Sequence, residues 1–316
     1  MTAAGVRIGL DVGGTKTAGI ALDEYGATRA TVRIGTEWGA DGVIAGVLEA
    51  VMALRAELPP LTAVESIGIG IPGLVDAESG RVLHAVNLGV QSLDVADRVA
   101  LATGAPCFVE NDVKAAALGA ASLRESREPL AYLNLGTGVA AGLIVEGRIW
   151  RGARGTAGEI GHLVVDPAGR VCGCGQRGCI ETLCGGGALA RAWGADAEFP
   201  VTDMLDAADA GDAAASALRE DLFRGVAAAV RALVLAADVE TVVIGGGLSA
   251  LADRIVPGIR ARQQEEAASS AFLRSLRLDE RIEMLPADSP VAAIGAALLG
   301  SAPAETVARH EEITHG

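Results

Sequence analysis

Short apolar runs that end in glycine-rich turns alternate along the chain with longer amphipathic stretches. The short runs have the length and composition of buried strands, and the longer stretches place apolar residues at helical spacing. Strands are predicted at 6–10, 17–22, 27–34, 66–71, 106–110, 131–135, 141–145, 241–244 and 281–285. Helices are predicted at 41–58, 92–102, 112–123, 185–193, 213–237, from 249 onward and at 290–300. This alternation predicts an α/β fold.

The opening pattern returns near the middle of the chain. Asp11-Val-Gly-Gly-Thr15 and Asn134-Leu-Gly-Thr-Gly138 each follow an apolar strand and lead into a second one, which ends in an acidic-glycine turn. Such a repeat predicts two related α/β domains that face a shared cleft. We place the domains at 1–122 and 123–302, with the last predicted helix a candidate to pack back on the first. The polar segment 303–316 is predicted to be loosely ordered.

Composition narrows the classes of function. Half of the 316 residues are hydrophobic, which is enough for two domain cores, and no apolar run has the roughly 18 residues of a membrane span. The net charge of −14 argues against binding to nucleic acid or to an anionic membrane. The first residues lack the pattern of a signal peptide, so we expect a cytoplasmic protein.

Three glycine-rich turns after strands are candidates for phosphate binding. Glycines let backbone N–H groups approach phosphate oxygens, and threonine hydroxyls add donors. A single turn of this kind is more often a plain hairpin, but three together favour a nucleotide site. The absence of a Gly-Lys dipeptide excludes a Walker loop, and the GxGxxxG spacing of 136–142 differs from the Rossmann fingerprint. The turns are Gly13-Gly14-Thr15, Gly136-Thr137-Gly138 and Gly245-Gly246-Gly247.

Two aspartates follow predicted strands. Asp11, at the end of the first strand, suits coordination of Mg²⁺, although an aspartate here can also simply cap a turn. Asp112 stands at or near the N-cap of a predicted helix, which is itself a common structural role. Its functional interpretation is a general base for phosphoryl transfer, kept ionised by the helix N-terminus.

One histidine and three cysteines form the most specific pattern in the chain. Cys172, Cys174 and Cys179 follow His162 in a glycine-rich segment. Disulfides or free thiols are the alternatives, but Cys172 and Cys174 are too close in sequence to bridge without strain. Three sulfur ligands and one nitrogen favour a closed, tetrahedral zinc site. The segment lies between two carboxylates, Glu159 and Glu181, whose separation a bound metal would fix.

Taken in order, these motifs resemble those of the ROK family (repressors, open reading frames and kinases), over about 6–300. The family includes bacterial glucokinases, fructokinases and N-acetylhexosamine kinases. The resemblance is carried by Leu10-Asp-Val-Gly-Gly-Thr-Lys16, Gly68-Ile-Gly-Ile-Pro-Gly73, Val109-Glu-Asn-Asp112, Leu135-Gly-Thr-Gly138, Ala157-Gly-Glu-Ile-Gly-His162, the Cys172–Glu181 segment and Ile244-Gly-Gly-Gly247.

The resemblance implies an actin-like ATPase fold of two ribonuclease-H-like domains flanking a cleft, assembled as a homodimer or homotetramer. It implies that ATP and Mg²⁺ are bound by Asp11, Gly13, Gly14, Thr15, Lys16, Thr137, Gly138, Gly142, Gly245, Gly246 and Gly247. Asp112 would be the catalytic base. The sugar would be bound by Gly73, Asn87, Asn111, Asp112, Glu159, His162 and Glu181. Structural zinc would be bound by His162, Cys172, Cys174 and Cys179.

The predicted function is therefore ATP-dependent phosphorylation of a hexose, with glucose as the first expectation. N-acetylmannosamine, N-acetylglucosamine, mannose and fructose are alternatives, and polyphosphate is an alternative donor. A ROK transcriptional regulator is less favoured, because about five residues precede the first strand and no DNA-binding element is evident. A zinc-ribbon module without catalysis would not require the glycine-rich turns or Asp112.

Two departures from the usual ROK pattern concern the sugar site. Lys114 stands where glucokinases of the family commonly have Asn, and we hypothesise that its charge helps to keep Asp112 ionised. The segment after Asn87 lacks a Trp that many members carry, which leaves the identity of the sugar open.

Overall fold

The computed structural model describes residues 5–124, 127–286 and 289–301. Its strands are β1 (Val6–Val12), β2 (Lys16–Leu22), β3 (Thr28–Gly35), β4 (Val64–Ile71), β5 (Leu74–Asp76), β6 (Arg81–Ala85), β7 (Val90–Asp94), β8 (Cys107–Asn111), β9 (Leu130–Leu135), β10 (Val139–Val145), β11 (Arg148–Ile149), β12 (Thr241–Gly245) and β13 (Ile282–Met284). Its α-helices are α1 (Ala40–Glu57), α2 (Val95–Thr103), α3 (Asp112–Ser122), α4 (Ile180–Cys184), α5 (Gly186–Trp193), α6 (Pro200–Asp209), α7 (Ala213–Ala237), α8 (Ala252–Ala268), α9 (Ala271–Leu276) and α10 (Val291–Leu298). The predicted loose segment 303–316 lies outside the described residues.

Two five-stranded sheets follow the same plan. The first has the order β3-β2-β1-β4-β8 and the second the order β11-β10-β9-β12-β13. In each sheet three antiparallel strands joined by short turns are followed by two parallel strands. The predicted repeat and the α/β class are therefore confirmed at the level of the sheets. The boundary between the two predicted domains remains a prediction.

Helices cover the sheets and bury their strands. The central strands β1 and β4 read as nearly continuous apolar runs because they are covered on both faces. Helix α1 packs on the first sheet together with a core of branched aliphatic residues. The long helix α7 contributes its buried face to the core of the second sheet. Within the described residues, no helix is both long and apolar enough to cross a membrane.

Helices α3 and α10 lie between the two sheets and approach their neighbours through glycines. A Cβ at Gly295 would lie 1.7 Å from the carbonyl oxygen of Ala115 in α3, and one at Gly68 would lie 1.7 Å from that of Ala296. Helix α10 thus packs almost backbone to backbone on β4 and on α3, while α3 also contacts β9 and β10. This packing places Asp112, the first residue of α3, where the two halves of the chain meet.

A third, small sheet was not predicted from the sequence. Strands β5, β6 and β7, which follow β4 and precede α2 along the chain, form an antiparallel sheet. Its strands have three to five residues, too few to show a clear hydrophobic period. Because β7 extends to Asp94, α2 begins at Val95 rather than at the predicted residue 92. Helices α4, α6 and α9 were also missed.

Candidate active site

Asp11 and Asp112 line one cavity of about 320 Å³, which is formed by residues from both halves of the chain. Asp11 lies near the end of β1 and Asp112 at the start of α3. The cavity is also lined by the turn that follows β12 and by Tyr132 and Asn134. A cavity of this size falls within the range of small-ligand sites. Two of the predicted functional aspartates and one predicted phosphate turn, Gly245–Gly247, therefore share a single cavity.

The start of α3 is organised by Asn111. The Asn111 side-chain oxygen accepts hydrogen bonds from the backbone N–H groups of Val113 (3.1 Å) and Lys114 (3.2 Å), so Asn111 is the N-cap. Asp112 is the first helical residue instead, which corrects the possible N-cap role given to it above. Its carboxylate accepts from the Asn111 side-chain amide and from the Val113 N–H, both at 3.0 Å. These donors fix the direction in which the Asp112 carboxylate points.

The electrostatics of the cavity differ from the sequence-based expectation. Burial raises the pKa of Asp112, and this effect outweighs the backbone donors at the helix N-terminus, while the nearby Glu159 carboxylate adds to it. Burial, followed by the charge of Asp112, raises the pKa of Asp11 to about 7. The donors at the helix N-terminus therefore do not hold the pKa of Asp112 below its ordinary value. A raised pKa makes Asp112 a stronger base once it has lost its proton.

The two aspartates suit a divalent cation at the cavity wall. Two carboxylates in one desolvated cavity raise each other's pKa, and a cation between or beside them would reverse that effect. Oxygen ligands of this kind are the ones that Mg²⁺ prefers, with water and phosphate oxygens completing its shell. Asp11 fits the predicted metal role, either directly or through water.

The predicted sugar contacts Gly73 and Asn111 are joined by a hydrogen bond. The Asn111 amide donates to the Gly73 carbonyl oxygen at 3.3 Å. Gly73 has a φ of 108°, and a Cβ there would lie 2.9 Å from the Leu83 carbonyl oxygen, so the close approach of this turn to β6 requires glycine. Asn87 is exposed beside the first glycine turn, and a Cβ at Gly14 would lie 3.7 Å from the Asn87 Cβ. Gly73 directly precedes the small sheet and Asn87 lies between two of its strands, so this sheet places Gly73 beside Asn111 and Asn87 beside the first glycine turn.

The first two glycine turns are short hairpin turns, as their repeat predicts. The Gly13 N–H donates to the Lys16 carbonyl oxygen at 2.9 Å, and the Gly136 N–H donates to the Gly138 carbonyl oxygen at 3.1 Å. Thr15, Lys16 and Thr137 are exposed at these turns. Their backbone and side-chain donors are therefore accessible to a ligand in the cleft.

Gly142 does not take part in such a turn. It is buried inside β10, where a Cβ would lie 2.6 Å from the Ala117 Cβ and 2.7 Å from the Val113 carbonyl oxygen. Its predicted contact with the nucleotide is corrected to a packing role: the absence of a side chain lets α3 approach the second sheet. The GxGxxxG spacing combined two turn glycines, Gly136 and Gly138, with one packing glycine, Gly142.

The predicted zinc ligands come together in space. One ligand atom from each of His162, Cys172, Cys174 and Cys179 lies within 4.8 Å of all the others. The sulfurs of Cys174 and Cys179 are 3.7 Å apart, as are the Cys172 sulfur and His162 Nδ1. A tetrahedral zinc with Zn–S bonds of about 2.3 Å requires S···S separations of about 3.8 Å. The geometry therefore fits a tetrahedral metal ion.

The local hydrogen bonds favour a thiolate at one ligand. The Gln176 amide donates to the Cys174 sulfur at 3.4 Å, and this interaction is the main cause that lowers the pKa of Cys174 to about 6. Burial raises the pKa of Cys179 to about 12. The cluster thus combines a thiolate with buried thiols. A bound cation would displace the protons that remain on those thiols.

The carboxylates that flank the metal cluster have different surroundings. Glu159 is exposed and close enough to Asp112 to raise its pKa. Glu181 is half-buried, and its Oε2 accepts a hydrogen bond from the Val139 N–H at 3.0 Å, directly after the second glycine turn. Its other oxygen lies 3.8 Å from the Cys172 sulfur. Glu181 thus links the metal cluster to the predicted phosphate turn, a connection that its predicted sugar role did not include.

Tyr132 and Asn134 are two of the cavity residues that the sequence analysis missed. Tyr132 is 5% exposed, and burial raises the pKa of its phenol, with Asp11 and Asp112 adding to the shift. Asn134 lies two residues further along β9, and a Cβ at Gly246 would lie 2.6 Å from its Oδ1. Residues two apart on a strand share a face. Two polar-tipped residues at this spacing, just before a glycine turn, were the available signal.

Comparisons with known proteins agree with this architecture. The sequence model of the ROK family matches residues 7–301. The chain is 30% identical to an N-acetylmannosamine kinase of Yersinia pseudotuberculosis, over 83% of this chain and 93% of that protein. It is 34% identical to a glucokinase of Halalkalibacterium halodurans, over 61% of this chain and 64% of that protein, which is less than two thirds of its length.

A solved structure extends the similarity to three dimensions. A ROK family glucokinase from Streptomyces griseus, in complex with glucose and AMPPNP, superimposes with a TM-score of 0.76 at 28% identity. The match covers 93% of this chain and 99% of that one. From the family match over nearly its whole length, together with the repeated sheets and the Cys/His cluster, we conclude that this chain belongs to the ROK family.

Proposed function

We propose that this protein phosphorylates a hexose with ATP and that its preferred sugar is glucose. The single observation that carries the proposal is the cavity that Asp11 and Asp112 share with the Gly245–Gly247 turn. It offers a cation ligand, a base and backbone donors within one space, which are the parts that phosphoryl transfer needs. The sugar kinases among its relatives support the choice of acceptor.

Each group would have one task. The glycine turns would bind the phosphates of ATP through backbone N–H groups, and Mg²⁺ held at Asp11 would neutralise charge on the transferring phosphoryl group. Asn111, Gly73 and Glu159 would orient the sugar hydroxyls. Asp112, fixed by the Asn111 amide and the Val113 N–H, would accept the proton of the attacking hydroxyl.

We propose that zinc bound by the Cys/His cluster has a structural task. The four ligands leave no open position for a substrate, which is typical of structural zinc. The metal would fix His162 and, through Glu181, the backbone of the second glycine turn. The homodimer or homotetramer expected for the family also belongs to this proposal, and light scattering on the purified chain would test it.

A coupled kinase assay over a panel of sugars tests the proposal. Glucose, mannose, fructose, N-acetylmannosamine and N-acetylglucosamine are each offered with ATP and Mg²⁺, and glucose is repeated with polyphosphate as donor. We expect glucose with ATP to give the highest kcat/KM. Turnover of N-acetylmannosamine above glucose would replace the sugar but keep the reaction, in line with the Yersinia relative. The absence of turnover with every sugar would refute the proposed function.

A further inference from the structure

Lys114 directs its charge to a loop rather than to the neighbouring aspartate. It is one of two lysines in the chain and is 5% exposed on the first turn of α3. Its ammonium donates to the Gly155 carbonyl oxygen at 2.7 Å. Among the ion pairs of the described residues, none includes Lys114. A buried ammonium is costly unless it is hydrogen-bonded, so this contact determines where the side chain lies.

Gly155 belongs to a loop at 150–159, here called the Glu159 loop, that follows β11 and ends at Glu159. A second residue of this loop, Arg151, also contacts the chain close to Asp112. The Arg151 Nε lies 2.6 Å from Oε2 of Glu110, and the Glu110 side chain is 2% exposed. Glu110 is two positions before Asp112. The other oxygen of Glu110 accepts from the Asn111 N–H at 2.9 Å. The Glu159 loop is therefore attached on both sides of Asp112.

The far end of the same loop is fixed to the second sheet. The Ala141 N–H donates to the Gly158 carbonyl oxygen at 2.7 Å. Gly158 has a φ of 97°, and a Cβ there would lie 1.8 Å from the Ala141 carbonyl oxygen, so a side chain cannot be accommodated. The Gly158 backbone therefore sets Glu159, the next residue, against β10. The Lys114 contact ties the Glu159 loop to α3, and the Arg151 contact ties it to Glu110 in β8.

On the basis of the proposed sugar kinase function, we propose that Lys114 and Arg151 are positioning residues. Their contacts set the distance between the carboxylates of Glu159 and Asp112. The two carboxylates would hold hydroxyls of one sugar, so the distance would determine how the reacting hydroxyl meets the base. The electrostatics agree with this assignment. The Glu159 charge raises the pKa of Asp112, and the opposing influence of the Lys114 charge is smaller.

The test compares Lys114→Met, Arg151→Met and the double variant with wild type. Arg148→Met is the matched control, because Arg148 is an exposed arginine on β11, just outside the Glu159 loop. Sugar affinity is measured by calorimetry in the absence of ATP, and AMPPNP affinity in the absence of sugar. Steady-state kinetics follow across pH, and thermal melting checks that each variant folds.

We expect the affinity for the sugar to fall about 10-fold in each single variant, the loss typical of a charge-assisted hydrogen bond. AMPPNP affinity should change less than about 2-fold, because neither residue lines the cavity that contains the Gly245–Gly247 turn. The double variant should lose less than the product of the single losses, since both contacts hold one loop. The acid limb of the pH–rate profile should stay in place.

Three results would overturn the proposal. Unchanged sugar affinity in both single variants would show that the contacts do not position the sugar site. Equal losses for sugar and AMPPNP would assign Lys114 and Arg151 to general stability. A shifted acid limb in the pH–rate profile of Lys114→Met, with sugar affinity unchanged, would return Lys114 to the electrostatic role hypothesised from the sequence. If Lys114→Met does not fold, the half-exposed Arg151 carries the test alone. Wild-type protein that binds no sugar would instead refute the proposed function.

Discussion

The metal cluster and the aspartate cavity are built in opposite ways. The cluster takes its four ligands from 162–179, and its geometry follows from one short segment. The cavity takes its residues from β1, α3, β9, β12 and α10, which are far apart in sequence. Ligand spacing therefore reveals the first site directly. The chemistry of the second depends on burial and on which charges become neighbours, so its residues could be named from sequence but their protonation could not.

Glu181 joins the metal cluster to the second glycine turn, and neither Glu181 nor that turn lines the aspartate cavity. One of its oxygens lies beside the Cys172 sulfur, and the other accepts from the Val139 N–H after the second glycine turn. A change at the metal cluster can therefore reach the predicted phosphate turn at 136–138 through a single side chain. The following predictions separate the sites or test this connection.

The largest effect is expected from Asp112→Asn, which removes the proposed base and keeps the size of the side chain. We expect kcat to fall by about 10²–10⁴-fold with little change in sugar affinity, because general base catalysis acts in the transition state. Steady-state kinetics and calorimetry measure the two quantities. Zinc content should remain at the wild-type level. Retained turnover would show that another group takes the proton.

Asp11→Asn should stabilise the metal-free protein at high pH. The folded-state pKa of Asp11 is raised to about 7 from 3.8, so the unfolded chain releases this proton first and stability falls as pH rises from about 4 to about 7. The Asp11→Asn variant has no carboxyl group at this position, so it does not lose this stability as pH rises. Three pKa units correspond to at most about 4 kcal/mol, or several degrees in Tm at pH 8.

Thermal melts at pH 4 and pH 8, with and without Mg²⁺, check this prediction. The Tm difference between variant and wild type should vanish at pH 4, where Asp11 is largely protonated in the folded state. It should also shrink with Mg²⁺ at pH 8, because the cation offsets the charge of Asp11. A wild-type Tm equal to that of the variant in metal-free buffer at pH 8 would contradict the raised pKa.

A smaller and more selective effect is expected from Cys174→Ala. Cys174 is the exposed ligand, so its loss removes the metal without opening a large internal cavity. We expect zinc to be lost and sugar affinity to fall about 10-fold, as for other disturbed metal shells. Nucleotide affinity should fall by a smaller factor, through Glu181 and Val139. Metal analysis and calorimetry measure all three.

Cys107→Ala is the control, because Cys107 lies in β8 outside the cluster and should leave zinc content and both affinities unchanged. Equal losses of sugar and nucleotide affinity in Cys174→Ala would mean that the cluster supports the whole fold rather than the sugar side of the cleft. Intact zinc binding in that variant would show that three ligands suffice.

Features that depend on short stretches of chain could be predicted from local sequence. The repeated strand–turn–strand unit, the clustering of His162 with the cysteines and most of the alternating strands and helices are local patterns that appear in the structure; the small sheet and helices α4, α6 and α9 are the exceptions. The positions of Asp11 near the end of β1 and of Asp112 directly after β8 also followed, because a strand's end sets where the next residues lie.

Tertiary structure alone decided what depends on distant neighbours. Gly142 proved to be a packing glycine because α3 crosses β10 there, and Lys114 found its acceptor in Gly155, 41 residues away. The pKa values of the two aspartates reflect desolvation by segments from the whole chain. The strands of the small sheet are too short to be recognised locally and are stabilised by pairing with one another. Burial and pairing are properties of the assembled fold, and no local pattern encodes them.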